Sequence, residues 1–488
     1  MYVTLHENKI KLFLMKNLYD LVVIGSGPGG YISAIRASQL GLRTAVIEKY
    51  QELGGTCLNV GCIPSKSLLD SSKYFSLAKK NYSSHGIFFE KLFFDFKKMM
   101  NRKNEIVRNI NNGIKYLMKK NQIDLYQGIG SFKSENVLSL REKKSLQEKK
   151  EIQFQYCIIS TGSKPSGLFN LDFDIKNRII SSTEAMNLNE IPKKLIIIGG
   201  GIIGLELGSI FNRLGSKIII IETMDKIISN MDDSLSKEIQ NILERSSIQI
   251  ETSLSISNIF QENHEEISVI AKYHNNEKEI KFVGNYCLLS IGRTPYTKNL
   301  GLENIKIKTN EKGFILVNDN LQTSIRNIYA IGDVVGGKML AHKAEEEGLH
   351  AVEHIVGEKP NKLNDNLIPS IIYTYPEVAS IGYSENEVKK NKIEYNVGIF
   401  PMKILGKART SGCTDGFLKM ISHKNTDEIL GVHIIGDHAS DMIMEASVAM
   451  EFRSSSEDIY RICHPHPTLS EAFKEAALLN FENRSIHM

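Results

Sequence analysis

The residues best suited to electron transfer are two cysteines with four residues between them, in Gly54-Gly-Thr-Cys57-Leu-Asn-Val-Gly-Cys62-Ile-Pro-Ser-Lys66. On a regular helix this spacing leaves the sulfurs poorly aligned, whereas a distortion near Gly61 and Pro64 brings them within disulfide reach. A redox pair, two packed thiols and half of a zinc site all remain open, although zinc needs further ligands at suitable spacing and none is near. A second cluster, Cys463-His464-Pro-His466-Pro-Thr-Leu-Ser-Glu471, joins imidazoles to a carboxylate. It reads as a proton-transfer pair, a metal site or a packed histidine. Dithiol chemistry needs such a base, because a thiol near its free pKa is mostly protonated at neutral pH and the thiolate is the nucleophile.

These groups must be positioned by larger elements, and the chain repeats one of them. Leu21-Val-Val-Ile-Gly25-Ser-Gly27-Pro-Gly-Gly30 and Leu195-Ile-Ile-Ile-Gly199-Gly-Gly201-Ile-Ile-Gly204 each join an apolar strand to a G-x-G-x-x-G turn and a helical pattern. In each copy a second strand ends in an acid, Glu48 or Glu222, 23 residues after the first glycine. The first glycine makes the tight turn, the second admits a pyrophosphate to the backbone amides, and the third packs helix on strand. The acid hydrogen-bonds a ribose hydroxyl. Two such units imply two different dinucleotides, a tightly held flavin and an exchangeable nicotinamide. Beyond them, Tyr329-Ala-Ile-Gly-Asp333 reads as a short strand carrying a carboxylate at its end. From about residue 362 alternating strands (Ser370 to Tyr373, Phe417 to Ile421, Ile429 to Ile435) and long helices read as a separate α+β domain.

The 488 residues exceed what one hydrophobic core organises, so several domains are expected. Hydrophobic residues at 42% and charged residues at 24% fit a folded soluble chain, and a net charge of +4 spread along it does not suggest a nucleic-acid-binding protein. The densest charge run, Arg141 to Glu151, reads as a solvated hairpin or loop. Leu195 to Phe211, the longest apolar stretch, is broken by glycines and carries Glu206, so it is no membrane span. The first residues lack a secretory h-region with a cleavage site and contain no arginine, so cytoplasmic residence is expected. Met15 is a plausible start, with residues 1–14 as an extension. Of six cysteines, Cys157, Cys287, Cys413 and Cys463 are expected as buried free thiols.

The segment GGTCLNVGCIPSK resembles the redox-active stretch of class I pyridine-nucleotide–disulfide oxidoreductases, and its CIPSK ending resembles the dihydrolipoamide dehydrogenase branch more than the glutathione reductase branch. The likeness runs from Tyr19 to the C-terminus. Ser160-Thr161-Gly162-Ser163 resembles the turn between flavin and nicotinamide domains, with Ser160 in place of alanine, and Gly292-Arg-Thr-Pro295 resembles the return. The resemblance implies an α/β fold of two Rossmann-like domains, for FAD and NAD, plus a C-terminal α+β dimerisation domain. The expected segments are 17–163 for FAD, 164–285 for NAD, 286–361 completing the FAD site and 362–488 for the interface.

Carried over residue by residue, the catalytic groups are Cys57, Cys62, His466 and Glu471, with no metal. FAD is assigned Gly25, Gly27, Gly30, Glu48, Lys49, Thr56, Lys66, Gly130, Thr161, Gly162, Ser163 and Asp333, with Met339, Leu340, Ala341 and His342. NAD is assigned Gly199, Gly201, Ile202, Ile203, Gly204, Glu206, Glu222 and Gly292. In this reading Cys57 exchanges with the substrate, Cys62 faces the flavin, Lys66 lies near the flavin's reactive nitrogen with Glu206 as its partner, and Asp333 bonds the ribityl chain. His466 is the base and Glu471 orients it, both serving the other subunit of a homodimer.

The implied reaction reoxidises protein-bound dihydrolipoamide and reduces NAD. No lipoyl segment precedes the flavin domain, so the dihydrolipoamide is expected on a partner acyltransferase or an H-protein-like carrier. A glutathione reductase would show basic residues where Glu222-Thr-Met-Asp225 stands, and a mercuric reductase would end in a cysteine pair where Ser-Ile-His-Met stands. A catalytically silent structural subunit is the alternative from another class. Such a relative is free to lose Cys57, Cys62, Lys66, Glu206, His466 or Glu471, and all six are present.

Overall fold

Strands that read as unbroken apolar runs should be covered on both faces, as parallel strands in α/β proteins are. Both glycine-loop strands meet that expectation, with Leu21 to Val23 and Leu195 to Ile197 fully buried. The computed structural model describes residues 18–141, 148–169, 171–275 and 278–488. The proposed start at Met15, the extension 1–14 and residues 142–147 of the charged run lie outside the described residues. The strands flanking that run, Val137–Arg141 and Glu148–Ile159, pair antiparallel.

The chain forms two compact units. The first comprises the residues up to Pro64, Lys103–Pro165 and Arg293–Leu363. Its sheet runs Asp124–Gln127, Thr44–Glu48, Leu18–Ile24, Glu148–Ile159, Val137–Arg141, Ile129–Ser134, and Ile328–Ala330 joins Glu148–Ile159. The strands Asp124–Gln127, Thr44–Glu48, Leu18–Ile24 and Glu148–Ile159 are parallel, with Ile24 paired to both Ile47 and Ile159. The helices Pro28–Gln39 and Ala341–Ile355 approach closely because glycines face each other's helix. A Cβ on Gly29 would stand 2.8 Å from Ala344 O, and one on Gly348 would stand 2.4 Å from Ser33 Oγ.

The second unit comprises Ser65–Arg102, Ser166–Gly292 and Asn364–Met488. It holds a parallel sheet in the order Ile248–Glu251, Lys217–Ile221, Lys194–Ile198, Tyr286–Leu289, Ile179–Ile180, and a three-stranded antiparallel sheet. It also holds a five-stranded antiparallel sheet ordered Ser370–Ile372, Glu377–Gly382, Ile429–Gly436, Phe417–His423, Tyr395–Pro401. The chain therefore changes unit at Arg293, seven residues after the expected 286, because Tyr286–Leu289 is the parallel neighbour of Lys194–Ile198. Likewise 65–102 counts with the second unit, and not with the flavin segment in which the sequence set it.

A buried ionic cluster fastens the α+β sheet to the helix Asp233–Arg245. Lys419 Nζ lies 2.9 and 3.0 Å from the Asp232 oxygens and 2.7 Å from Glu385 Oε2. Asp232 also caps the helix by accepting from Ser234 N at 3.0 Å. Burial alone would raise the Glu385 carboxyl, but Lys389 and Lys419 outweigh it and hold it down at about 2.

Candidate active site

Each glycine of the two loops has its own structural duty, and the duties match between copies. Gly25 has φ +100° and a Cβ there would meet Ser160 O at 2.3 Å; Gly199 has φ +106° and would meet Ser290 O at 2.5 Å. On Gly30 a Cβ would lie 2.0 Å from Gly25 O, and on Gly204 it would lie 2.3 Å from Gly199 O. At the middle glycines, Gly27 and Gly201, a Cβ would meet nothing within 4 Å. These two are the N-caps of the helices Pro28–Gln39 and Ile202–Arg213, and neither helix receives a side-chain cap bond. Open space at the middle glycine, beside amides that no side chain satisfies, fits a pyrophosphate at a helix N-terminus. Ile202 and Ile203 form the first turn of the second helix.

The two acids are held by their own loops. Glu48 Oε2 accepts from Ser26 N at 3.0 Å and Ser26 Oγ at 2.7 Å, while Oε1 accepts from Tyr50 N at 2.9 Å. Glu222 accepts from Gly200 N at 2.7 Å and Met224 N at 2.8 Å. Unused lone pairs on each carboxylate suit a ribose diol. Gly130 is buried beside Ile47, with a Cβ there only 3.1 Å from Ile47 Cδ1, so its smallness also serves packing.

Between the cysteines the helical path is interrupted. Cys57 lies in the helix Gly55–Val60, Cys62 begins the helix Cys62–Lys80, and Gly61 between them has φ −141° and ψ −112°. The break brings the Cα atoms to 4.6 Å, and the two sulfurs form a disulfide. Both cysteines are half-buried and Thr56 is exposed. Asn59 Nδ2 holds the preceding turn by donating to Leu53 O at 2.7 Å and Gly55 O at 2.9 Å. Lys66 follows Cys62 by one helical turn. Its Nζ lies 3.0 and 2.9 Å from the Glu206 oxygens, with Glu206 4% exposed, and 4.5 Å above the Tyr373 ring. Glu206, assigned to NAD from the sequence, thus spends its carboxylate on Lys66 and on Tyr373 N, the latter at 3.0 Å.

The remaining flavin-assigned residues converge within the first unit. Ser163 Oγ donates to Asp333, Arg293 Nε donates to Ser163 Oγ at 2.6 Å, and Arg293 lies 3.8 Å from Asp333. Thr161 Oγ1 donates to Tyr296 O at 2.7 Å, Gly162 has φ +68°, and Lys49 Nζ sits 3.4 Å from the Tyr296 ring centroid. Leu340 is the N-cap of the helix Ala341–Ile355 and offers no side-chain cap, so Met339, Leu340, Ala341 and His342 surround another open helix N-terminus. The turn bearing Asp333 is held by Glu347, which accepts from Gly332 N at 2.7 Å and pairs with buried Lys343. Sequence reading missed Arg293, Lys343 and Glu347. The four-residue spacing of Lys343 and Glu347 on an amphipathic helix was a usable signal; Arg293 carried none beyond its segment. In the second unit Gly292 has φ +110° and accepts from Ser166 N at 3.0 Å.

His466 Nδ1 lies 2.8 Å from Glu471 Oε1, and Thr468 N donates to the other carboxylate oxygen at 2.9 Å. Burial would raise the Glu471 carboxyl, but the bonds from His466 and Thr468 outweigh it and hold it below its ordinary value. The His466 side chain is 75% exposed, so Nε2 faces outward and Glu471 fixes the ring. His464 is drawn instead to Glu445 Oε1 at 3.2 Å. Among the described residues no three His, Cys, Asp or Glu side chains are grouped to hold a metal ion. The expectation of four buried free thiols needs correction. Cys157 and Cys287 are buried, but Cys413 is half-buried and Cys463 exposed, because both lie in connecting segments and not on core strands.

Comparison with known proteins gives a family model described as pyridine nucleotide-disulphide oxidoreductase over residues 19–348, and its dimerisation domain over 368–477. "Dihydrolipoyl dehydrogenase 2, mitochondrial" of Arabidopsis thaliana is 42% identical over 469 residues, 96% of this chain and 91% of that protein. "Dihydrolipoyl dehydrogenase, mitochondrial" of Homo sapiens is 42% identical over 470 residues, 96% of this chain and 92% of that one. Among solved structures, the Cu(II) complex of the HOCl-induced flavoprotein disulfide reductase RclA from Escherichia coli superimposes with a TM-score of 0.84. It is 25% identical and covers 95% of this chain and 99% of that one.

Proposed function

The chain belongs to the pyridine nucleotide-disulphide oxidoreductase family, and from that premise we propose that it is a dihydrolipoyl dehydrogenase, using FAD and NAD to oxidise dihydrolipoamide. The observation that carries this is the Cys57–Cys62 disulfide, formed where the first dinucleotide loop gives way to the helix bearing Lys66.

In the proposed cycle His466 Nε2 takes a proton from the dithiol while Glu471 stabilises the resulting imidazolium through Nδ1. The substrate thiolate attacks Cys57 Sγ, the Cys57–Cys62 bond breaks, and Cys62 leaves as a thiolate. The second substrate thiolate then attacks the mixed disulfide, releasing the cyclic disulfide and leaving Cys57 reduced. FAD, when bound, would supply the two-electron chemistry that links the reduced cysteine pair to NAD. Gly25 to Gly30, Glu48, Ser163, Arg293 and Asp333 hold the flavin nucleotide in this reading; Gly199 to Gly204 and Glu222 hold the nicotinamide nucleotide. Lys66, held by its ion pair with Glu206, steadies the helix one turn beyond Cys62.

The dimerisation-domain match supports a homodimer, with His466 and Glu471 completing the partner subunit's site. The dihydrolipoamide is proposed to be carried by the lipoyl domain of an acyltransferase or by an H-protein-like carrier. No described helix is long and apolar enough to cross a membrane. The cytoplasm is the proposed compartment; cell fractionation that finds the protein inside an organelle would reject it.

The deciding experiment is a visible titration of the purified yellow protein. Dihydrolipoamide should reduce both cysteines and flavin, and NAD should restore the oxidised spectrum with formation of NADH. Reduction by NADPH and glutathione disulfide turnover, without response to dihydrolipoamide, would transfer the chain to another branch of the family.

A further inference from the structure

In the second unit, at the end of the helix Ile202–Arg213 opposite its glycine loop, a solvent-open cavity of about 250 Å³ lies where the helices Cys62–Lys80, Ile202–Arg213 and Asp233–Arg245 end. The segments at Tyr375 and Cys413 complete its wall. Arg213 lines this space with no carboxylate partner among the described residues. Its Nη1 donates only weakly, at 3.4 Å to Leu69 O and 3.5 Å to Ser72 Oγ. Burial pushes the guanidinium down to about 10, the expected response of a cation without a counter-ion. One turn earlier, Ser209 lines the same cavity. It is 4% exposed, and its Oγ has no hydrogen-bond partner among the described residues.

A buried hydroxyl without a partner and a half-buried cation without an anion each cost free energy. Standing four residues apart, they share a helix face, so one acceptor group in the cavity answers both. The acids on the wall do not serve: Asp415 is taken by Arg245 at 2.8 Å and Asp437 by Lys73 at 3.1 Å. Three helix C-termini bring partial negative charge that weakens the hold on any anion, so binding must rest on the cations of the lining, Arg213 and Lys80. We propose that this cavity binds a small oxyanion, a carboxylate or a phosphate, with Arg213 as its charge partner and Ser209 as its hydrogen-bond donor.

Cys413 lines the same cavity and reports on its occupancy. The FAD-loaded dimer is alkylated with and without sodium acetate or inorganic phosphate at constant ionic strength, and modification of Cys413 is followed by peptide mass analysis. Saturable slowing of alkylation by about threefold or more is expected from at least one anion. Acetate acting alone identifies a carboxylate site, and phosphate acting alone identifies a phosphate site. Ser209→Ala removes a hydroxyl that has no partner, so it should fold normally and raise the half-saturating concentration about fivefold, the share of one hydrogen bond. Arg213→Met should abolish protection while retaining flavin. Protection equal to wild type in both variants would show that neither Arg213 nor Ser209 holds the anion and would overturn the proposal. No saturable protection by either anion in the wild type overturns it as well.

Discussion

The two glycine loops share one backbone design and differ in what surrounds it. At the first, Glu48 is 7% exposed and takes both the amide and the hydroxyl of Ser26; at the second, Glu222 is half-buried and takes only backbone amides. Around the first, Ser163, Arg293 and Asp333 supply a further polar cluster from distant parts of the chain, and the helix Ala341–Ile355 presents a second open N-terminus. Beyond the second loop, the helix spends its buried carboxylate, Glu206, on Lys66. In the proposed reading, retention is decided outside the motif: the first loop keeps its nucleotide and the second exchanges it.

Filling the two open spaces in turn would break or uphold this contrast. Gly27→Val should fold but emerge without flavin and without turnover, since the side chain enters space kept for the pyrophosphate. Gly201→Val should stay yellow, be reduced by dihydrolipoamide and fail only with NAD. Flavin content measured by absorbance decides; loss of flavin in both variants would end the distinction. A change that spares both loops comes next: His466→Gln should retain fold and flavin yet lose about 10² to 10⁴ of dithiol turnover. In heterodimers with Cys57→Ser chains some activity should return, because one of the two sites is then whole. Absence of rescue in verified heterodimers would place the base in its own subunit's site.

Nucleotide choice is a smaller effect. The Glu222 carboxylate accepts from a ribose diol and repels a 2′-phosphate, so NAD should be preferred over NADP about a hundredfold, equivalent to ~3 kcal/mol. Glu222→Ala should narrow the ratio of kcat/KM values, and equal efficiency in the unaltered protein would refute the role. The smallest effect on turnover concerns the ionic cluster of the second unit. Glu385 is depressed to about 2, so its stabilisation is complete above the ordinary carboxylate range and is lost as pH falls through about 2. Glu385→Gln should leave activity near normal at pH 7, lower stability by at most about 3 kcal/mol there, and flatten the acid limb of a stability–pH curve. An unchanged acid limb would remove Glu385 from that linkage.

What was legible from sequence is what local spacing controls. Three glycines and an acid at a fixed offset, a cysteine pair around Gly61, and a histidine five residues before a glutamate each declare a short-range geometry. Contacts set by topology were not legible. Asp333 meets Ser163 across 170 positions, and Lys419 meets Asp232 across 187. No periodicity announces such pairs, and a lysine on a strand reads as solvated until its acids are found. The exposure of Cys463 was missed for a related reason: cysteine's usual burial is a property of core elements, and this one precedes His464 in a loop.

The link between Cys57 and Cys62 closes a ring of very few residues, its ends only five positions apart. Cross-links restrict the unfolded chain in proportion to the logarithm of the loop they close, so this one contributes only about 2 kcal/mol of conformational restraint, against nearly 5 for a loop of a hundred residues. A bond that must open in every turnover is thereby separated from the architecture. The dithiol form should melt within a few degrees of the oxidised form, the pair acting as a latch whose opening leaves the surrounding walls standing.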